Sequence, residues 1–165
     1  MLALSFSVAI ERFPLKVPFV ISRGTKTDAV VVAVTLSDGR VTGRGECTPY
    51  ARYGETPEGV AAAIKATAAN PDALASRAAL AAALPAGAAR NALDCALWDL
   101  EAKHAGKRAF ELAGLPAPQP AMTCYTISLD TPEAMAQAAR PMARRPFLKL
   151  KIGGQTRTWP TSRRS

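Results

Sequence analysis

The spacing of hydrophobic and polar positions changes twice along this chain. From Leu2 to Arg12 the two alternate loosely, which predicts a strand, and Pro14 and Pro18 are expected to interrupt it. Asp28 to Leu36 is dense in valine and predicts a central strand. Ser37-Asp38-Gly39-Arg40 then reads as a hairpin turn, because Asp-Gly accepts the positive φ that tight turns demand. Val41 to Cys47 returns as the partner. The first fifty residues therefore predict an antiparallel three-stranded sheet.

After Tyr53-Gly54-Glu55 the period becomes helical. Thr56-Pro57-Glu58 is a helix start, with Thr56 as N-cap, Pro57 at the first helical position and an acid in the first turn, and a helix follows over Glu58 to Ala69. Pro71 to Ala83 is alanine-rich and predicts a further helix. Ala88 to Ala105 carries the strongest helical pattern. Ala89, Ala92, Ala96, Leu97, Leu100 and Ala102 form its apolar face, and Trp98 is expected to add bulk there. Gly106 ends it, and a short helix over Ala109 to Ala113 stops at Gly114. The proline-rich stretch from Leu115 to Pro120 predicts a linker. Beyond it, Met122 to Ser128 predicts a strand, Thr131-Pro132-Glu133 opens a helix to about Met142, and Phe147 to Ile152 predicts another strand. Strand, helix and strand with short joins make a βαβ unit, which belongs to a parallel sheet. Two parallel strands cannot cover themselves on both faces, so this unit predicts the opening of something larger.

Composition narrows the class. The chain has 165 residues, 48% of them hydrophobic, and carries a net charge of +8. That is a globular composition with room for one core. The longest apolar run, Ala29 to Leu36, is strand-sized and far short of a membrane span. Glu11 and the lack of a basic start argue against a secretion signal. Cys47, Cys95 and Cys124 are odd in number and widely spaced, which fits reduced cytoplasmic thiols better than disulfides or a zinc site. The positive charge forms no helix-face stripe with interleaved aromatics, and Arg157, Arg163 and Arg164 fall together in the tail. Neither nucleic acid nor membrane is therefore an expected partner. The single histidine, His104, reads as a surface residue.

Candidate chemistry starts at "LKLKIGG". Residues i and i+2 of a strand share a face, so Lys149 and Lys151 point one way and Leu148, Leu150 and Ile152 the other. Inside a (β/α) barrel, crowded and desolvated ammonium groups lose their protons more readily, and a neutral amine can abstract a proton. On an exposed edge strand the same lysines would only guard against aggregation, and taken alone they favour that reading. Thr126 in "CYTISLD" could bind a ligand or merely suit a strand. "FVISRGTKT" reads as a loop that holds Arg23 and Lys26 beside Gly24; arginine suits a bidentate grip on a carboxylate, though an exposed loop arginine is commonplace. Tyr50, Arg52 and Tyr53 lie in a glycine-bounded loop, "GECTPYARYGE", that reads either as a substrate lid or as a solvent-facing turn.

The combination is more specific than its parts. "ISRGTKT", "GRGECTPYARYGET", "ARNALDCALWDLEAK", "YTISLDTPEAM" and "LKLKIGG", in this order and spacing, resemble the dipeptide epimerases of the enolase superfamily, the L-Ala-D/L-Glu epimerase group of the muconate-lactonizing subgroup, over residues 1 to 154. The resemblance implies an α+β capping domain followed by the first βαβ of a truncated (β/α) TIM-type barrel. It divides the chain into an enolase-like capping domain over 1–118, the start of a barrel over 119–154 and an aberrant tail over 155–165. It implies Mg²⁺-dependent epimerisation of dipeptides such as L-Ala-D/L-Glu, by removal and return of the α-proton through an enediolate, a site chemistry in which a Lys or His base works with Mg²⁺. Lys151 matches one of the family's two acid/base lysines. Lys149 matches the lysine that contacts the substrate carboxylate and favours its neighbour's neutral form. Thr126 matches a substrate-binding threonine, Arg23 the capping-loop arginine that meets the distal carboxylate, and Tyr50 and Tyr53 possible contacts from the second capping loop. A small-molecule dipeptide is the implied partner, in a family that is often homo-oligomeric.

The resemblance also exposes a departure. The family's three carboxylate metal ligands, its second catalytic lysine and its acidic pair for the dipeptide's amino group lie on later barrel strands, and a TIM barrel needs about 250 residues. No metal ligand is therefore expected in this chain, and the fragment alone is expected to be inactive. The tail "QTRTWPTSRRS" has no periodicity and no acid. Shifted by one frame, with GC-rich codons, it reads Asp-Ala-Asp-Leu-Ala-Asp-Ile-Ala-Ala-Val, an amphipathic helix start, so residues 155–165 are expected to be out of frame. Alternatives are a muconate cycloisomerase-like or o-succinylbenzoate synthase-like enzyme, which shares the Lys-x-Lys logic, and a non-catalytic capping-domain fragment.

Overall fold

The computed structural model describes residues 4–22 and 24–153. The expected tail at 155–165 lies outside the described residues, as does Arg23. Two compact units divide the chain. The first takes the residues up to Phe13 together with Ala29–Gln119, and the second takes Pro14–Asp28 together with the residues from Pro120 on.

Strands β1 (Ser5–Ile21), β2 (Gly24–Ser37) and β3 (Thr42–Cys47) form one sheet in the order β1-β2-β3. Pro14 and Pro18 do not interrupt β1, contrary to expectation. The strand lies at the sheet's edge, and a proline there removes no ladder bond when its ring nitrogen faces outward. β2 and β3 pair antiparallel, with Val32 opposite Cys47, Val34 opposite Gly45 and Leu36 opposite Gly43. The turn between them is held by Asp38, whose Oδ1 accepts the amides of Arg40 at 2.9 Å and Val41 at 3.0 Å. Those two amides are the main reason its carboxyl lies below the usual range.

In the first unit, helices α1 (Pro57–Ala68), α2 (Arg77–Ala83), α3 (Ala88–Ala105) and α4 (Ala109–Leu112) follow the sheet. Thr56 caps α1 as expected, its hydroxyl accepting the Gly59 amide at 3.0 Å. The helix expected over Pro71 to Ala83 divides in two. A 3-10 turn over Pro71–Leu74 ends at Ala75, and Ser76 caps a fresh helix by accepting the Ala79 amide. A second N-cap residue inside the alanine-rich stretch restarts the hydrogen bonding.

The core joins Val32, Val34 and Leu36 of β2 to Ile64, Leu80, Leu93, Ala96 and Leu97 of the helices. α3 lies directly on β3. A Cβ added at Gly45 would overlap the Ala92 carbonyl oxygen and sit 2.7 Å from the Ala96 nitrogen, and one at Gly43 would meet Leu100 Cβ at 2.7 Å. The same helix answers the polar groups on the outer edge of β3. Asp99 accepts the Arg44 amide at 2.8 Å, Asn91 donates to the Glu46 carbonyl at 3.2 Å, and Lys103 donates to the Thr42 carbonyl at 2.6 Å. Trp98 stands outside this core, half-buried, with the Arg77 guanidinium 3.4 Å above its ring and Arg77 paired to Glu101. Its indole therefore works as a cation–π platform and not as core bulk. His104 is exposed, as expected, and its Nε2 lies 3.0 Å from Asp38 Oδ2.

In the second unit, β4 (Tyr125–Ile127) and β5 (Leu148–Leu150) pair parallel through the crossover helix α5 (Pro132–Ala139). Both strands are shorter than expected. α5 starts where Thr131 accepts the Ala134 amide at 3.2 Å, and it tightens into a 3-10 turn over Arg140–Met142, where Pro141 cannot continue an α-helix. Among the described residues no helix is long and apolar enough to cross a membrane.

Candidate active site

The parallel register places Thr126 opposite Lys149, and Lys151 lies two residues further along the same strand direction. The ladder continues past the strand end, since the Lys151 amide donates to the Ile127 carbonyl at 3.0 Å. Side chains two apart on a strand share a face about 7 Å apart, and neighbouring strands run about 5 Å apart. Thr126, Lys149 and Lys151 therefore share one face of the β4–β5 pair. Thr126 and Lys151 are half-buried and Lys149 is exposed. The opposite face carries Leu148, Leu150 and Ile152, all exposed, the last at 83%.

The segment from Phe19 to Ser22 belongs to this same unit and lies against these strands. Lys151 Nζ stands 5.6 Å from the centre of the Phe19 ring, a cation–π distance. The Leu129 amide donates to the Val20 carbonyl at 3.1 Å. A Cβ added at Gly153 would come 2.7 Å from Ser22 Cβ, and Gly153 has φ +144, so only glycine fits there. The chain thus brings Ser22 beside Gly153, three residues past the end of β5. Phe19 was not singled out in the sequence, where "PFVIS" reads as one more apolar run.

Tyr50 and Tyr53 lie in the first unit, on a short 3-10 turn over Ala51–Tyr53 that follows β3. Their ring centres are 5.6 Å apart and tilted by 51°, and Tyr53 is 76% exposed. Gly54 closes the turn with φ +75, the left-handed region that glycine enters freely. Glu55 follows, a residue that no sequence motif singles out. Its Oε2 accepts the Tyr50 amide at 2.9 Å and its Oε1 the Ala88 amide at 2.7 Å. These two bonds, Ala88's foremost, hold its carboxyl below the usual range. Nearby Cys47 behaves in the opposite way. Burial pushes its thiol up to about 11, which makes it a core group and not a nucleophile.

Among the described residues, no three histidine, cysteine or carboxylate side chains converge where they could hold a metal ion. The face shared by Thr126, Lys149 and Lys151 brings no carboxylate of its own. The described residues do not form a Mg²⁺ site by themselves.

Comparison with known proteins identifies the family. Residues 3–114 match the family model of the mandelate racemase / muconate lactonizing enzyme N-terminal domain. The L-Ala-D/L-Glu epimerase of Escherichia coli K12 is 43% identical over 144 residues, covering 86% of this chain and 45% of the relative. A solved enolase family member from Agrobacterium tumefaciens, with homology to dipeptide epimerases and bound sodium and L-Ala-L-Glu, is 52% identical at a TM-score of 0.85, covering 91% of this chain and 46% of that one. A dipeptide epimerase from Cytophaga hutchinsonii, complexed with Mg and D-Ala-L-Val, is 28% identical at a TM-score of 0.79, covering 90% of this chain and 44% of that one. The chain spans less than half the length of these relatives. An α+β capping domain followed by a parallel βαβ unit, with epimerases among its relatives, places the chain in the mandelate racemase / muconate lactonizing enzyme family of the enolase superfamily, an isomerase family, as an N-terminal portion of a dipeptide-epimerase-like member.

Proposed function

We propose that this chain supplies half of an active site that epimerises dipeptides of the L-Ala-D/L-Glu kind. The observation that carries the reading is the shared face of Thr126, Lys149 and Lys151 on a parallel strand pair. In this reading Lys151 takes the α-proton from one side of the α-carbon as a neutral amine, becoming an ammonium, or returns it from that side as the ammonium. The Lys149 ammonium pairs with the carboxylate next to that carbon, where negative charge grows as the proton leaves. Thr126 donates a hydrogen bond to the substrate, and Arg23 grips the distal carboxylate with its planar fork. Tyr50 and Tyr53 contribute contacts from their loop. A stereocentre inverts only if a second acid/base group acts from the opposite face, and that group is assigned to the remainder of the whole protein. Mg²⁺ is the proposed cofactor, in line with the Cytophaga relative, and would supply charge stabilisation at the carboxylate. The described residues do not form its cage, so no step here runs through it. The reading includes a capping domain over 1–118, a barrel start over 119–154, an out-of-frame tail, a cytoplasmic location and a homo-oligomeric whole protein without nucleic-acid or membrane partners.

The test begins with sequencing of the locus for a reading frame that continues past Gly154. The lengthened protein, given Mg²⁺ and L-Ala-L-Glu in deuterated water, should lose the α-proton signal and build up the second diastereomer. Lys151→Ala should lower that rate by about a thousandfold, the scale of a lost general base. Retention of full activity by Lys151→Ala would remove the lysine from the mechanism. The 165-residue chain alone should show no exchange, and measurable Mg²⁺-dependent exchange would refute its inactivity.

A further inference from the structure

We infer that Glu55 is a positioning residue, whose carboxylate braces the turn carrying Tyr50 and Tyr53 against the first residue of α3. The turn has its own internal bonds, Tyr53 amide to Tyr50 carbonyl at 2.9 Å and Gly54 amide to Ala51 carbonyl at 3.0 Å. They set its local shape but not its place in the unit. Glu55 supplies the reference point. One oxygen takes the amide of Tyr50, where the turn begins, and the other takes the amide of Ala88, where α3 begins. α3 is firmly seated, packed on β3 from Ala92 to Leu100. A carboxylate also suits that place, since unpaired amides and the helix dipole at an N-terminus favour negative charge. Gly87 leaves room for it, because a Cβ there would stand only 3.1 Å from Glu55 Oε1.

A plain helix cap would need only the bond to Ala88. The bond to Tyr50 has no part in capping α3, and it ties the start of the aromatic turn to the same carboxylate. That the two rings meet a dipeptide rests on the function proposed above. The bracing of the turn does not.

Amide hydrogen exchange on the 165-residue chain separates the two roles. Glu55→Ala should lower protection at Tyr50 and Ala88 by about tenfold or more, the scale of a lost charge-assisted hydrogen bond. Leu93 and Leu97 in the core should keep theirs. Glu55→Gln retains an uncharged acceptor and should recover part of the loss. In the unsubstituted chain, Tyr50 protection, corrected for intrinsic exchange, should fall as Glu55 is protonated, and Glu55→Gln should abolish that fall. Loss at Ala88 with Tyr50 unchanged would leave only a helix cap and overturn the inference. A uniform loss that includes Leu93 and Leu97 would overturn it as well, as general destabilisation. Failure of the lengthened protein to turn over any dipeptide would remove the epimerase reading and leave the exchange result standing.

Discussion

Gly43 and Gly45 decide how close α3 can come to β3. They alternate with Arg44 in "TGRGEC", so both face the helix, and they meet Ala92, Ala96 and Leu100 there. The signal was present in the sequence as two glycines at a strand's period beside a helix whose apolar face is mostly alanine. Read separately, each looked ordinary. Gly45→Ala would drive a methyl group into the backbone of α3, which cannot give way like a side chain. The expected cost is about 3 kcal/mol, the upper part of the range for overpacking, read as a lower urea midpoint with an unchanged slope. A midpoint within error of the unsubstituted chain would show that α3 can shift without penalty. The candidate site was legible at this scale in a different way. Lys149, Lys151 and Thr126 were found through strand alternation and motif. Phe19 and Glu55 were not, because Lys151 and Ala88, which they meet, are far off in sequence, and the bond of Glu55 back to the nearby Tyr50 follows no standard local motif.

Among the elements, helix and strand type followed from period, while lengths followed from what each element packs on. α3 matches its expected span because its apolar face is continuous and Gly106 stops it with φ +61. β4 and β5 shrink to three residues each, since a parallel pair extends only as far as both partners stay in reach. The protected edge of β3 was not legible at all. An edge strand usually needs charges or a covering element, and here α3 covers it with side chains spaced along one helix face. Asp99 is central to that cover, receiving the Arg44 amide and lying 2.7 Å from Lys103. Burial raises its carboxyl's affinity for protons, but the Lys103 and Arg44 bonds outweigh this and leave it below the usual range. Asp99→Ala should cost about 1 kcal/mol, a modest figure because both partners are partly solvated. Asp99→Asn keeps an acceptor for the Arg44 amide and should cost less. Equal losses for the two variants would mean that the ion pair matters and the edge bond does not.

For the molecule as a whole, charge and capping point to a specific acid response. Asp38, Glu55 and Asp99 all have carboxyls held below their usual range, and all three accept backbone amides, at a turn, a helix start and a sheet edge. A carboxyl lowered in the folded state stabilises the fold above its unfolded pKa, and that contribution disappears as pH falls through the folded value. The chain already carries +8 near neutrality, so each proton taken up also adds to its self-repulsion. The thermal midpoint should therefore stay nearly level from pH 7 to about pH 5 and drop steeply below it, in step with carboxylate protonation. A triple variant, Asp38→Asn, Glu55→Gln and Asp99→Asn, keeps neutral acceptors at the three places. It should start from a lower midpoint at pH 7 and lose much less between pH 5 and pH 3, the window in which ordinary carboxyls titrate. An acid limb as steep in the triple variant as in the unsubstituted chain would assign the loss to general charge repulsion. The three amide-bound carboxylates would then have no special part in holding the capping domain together.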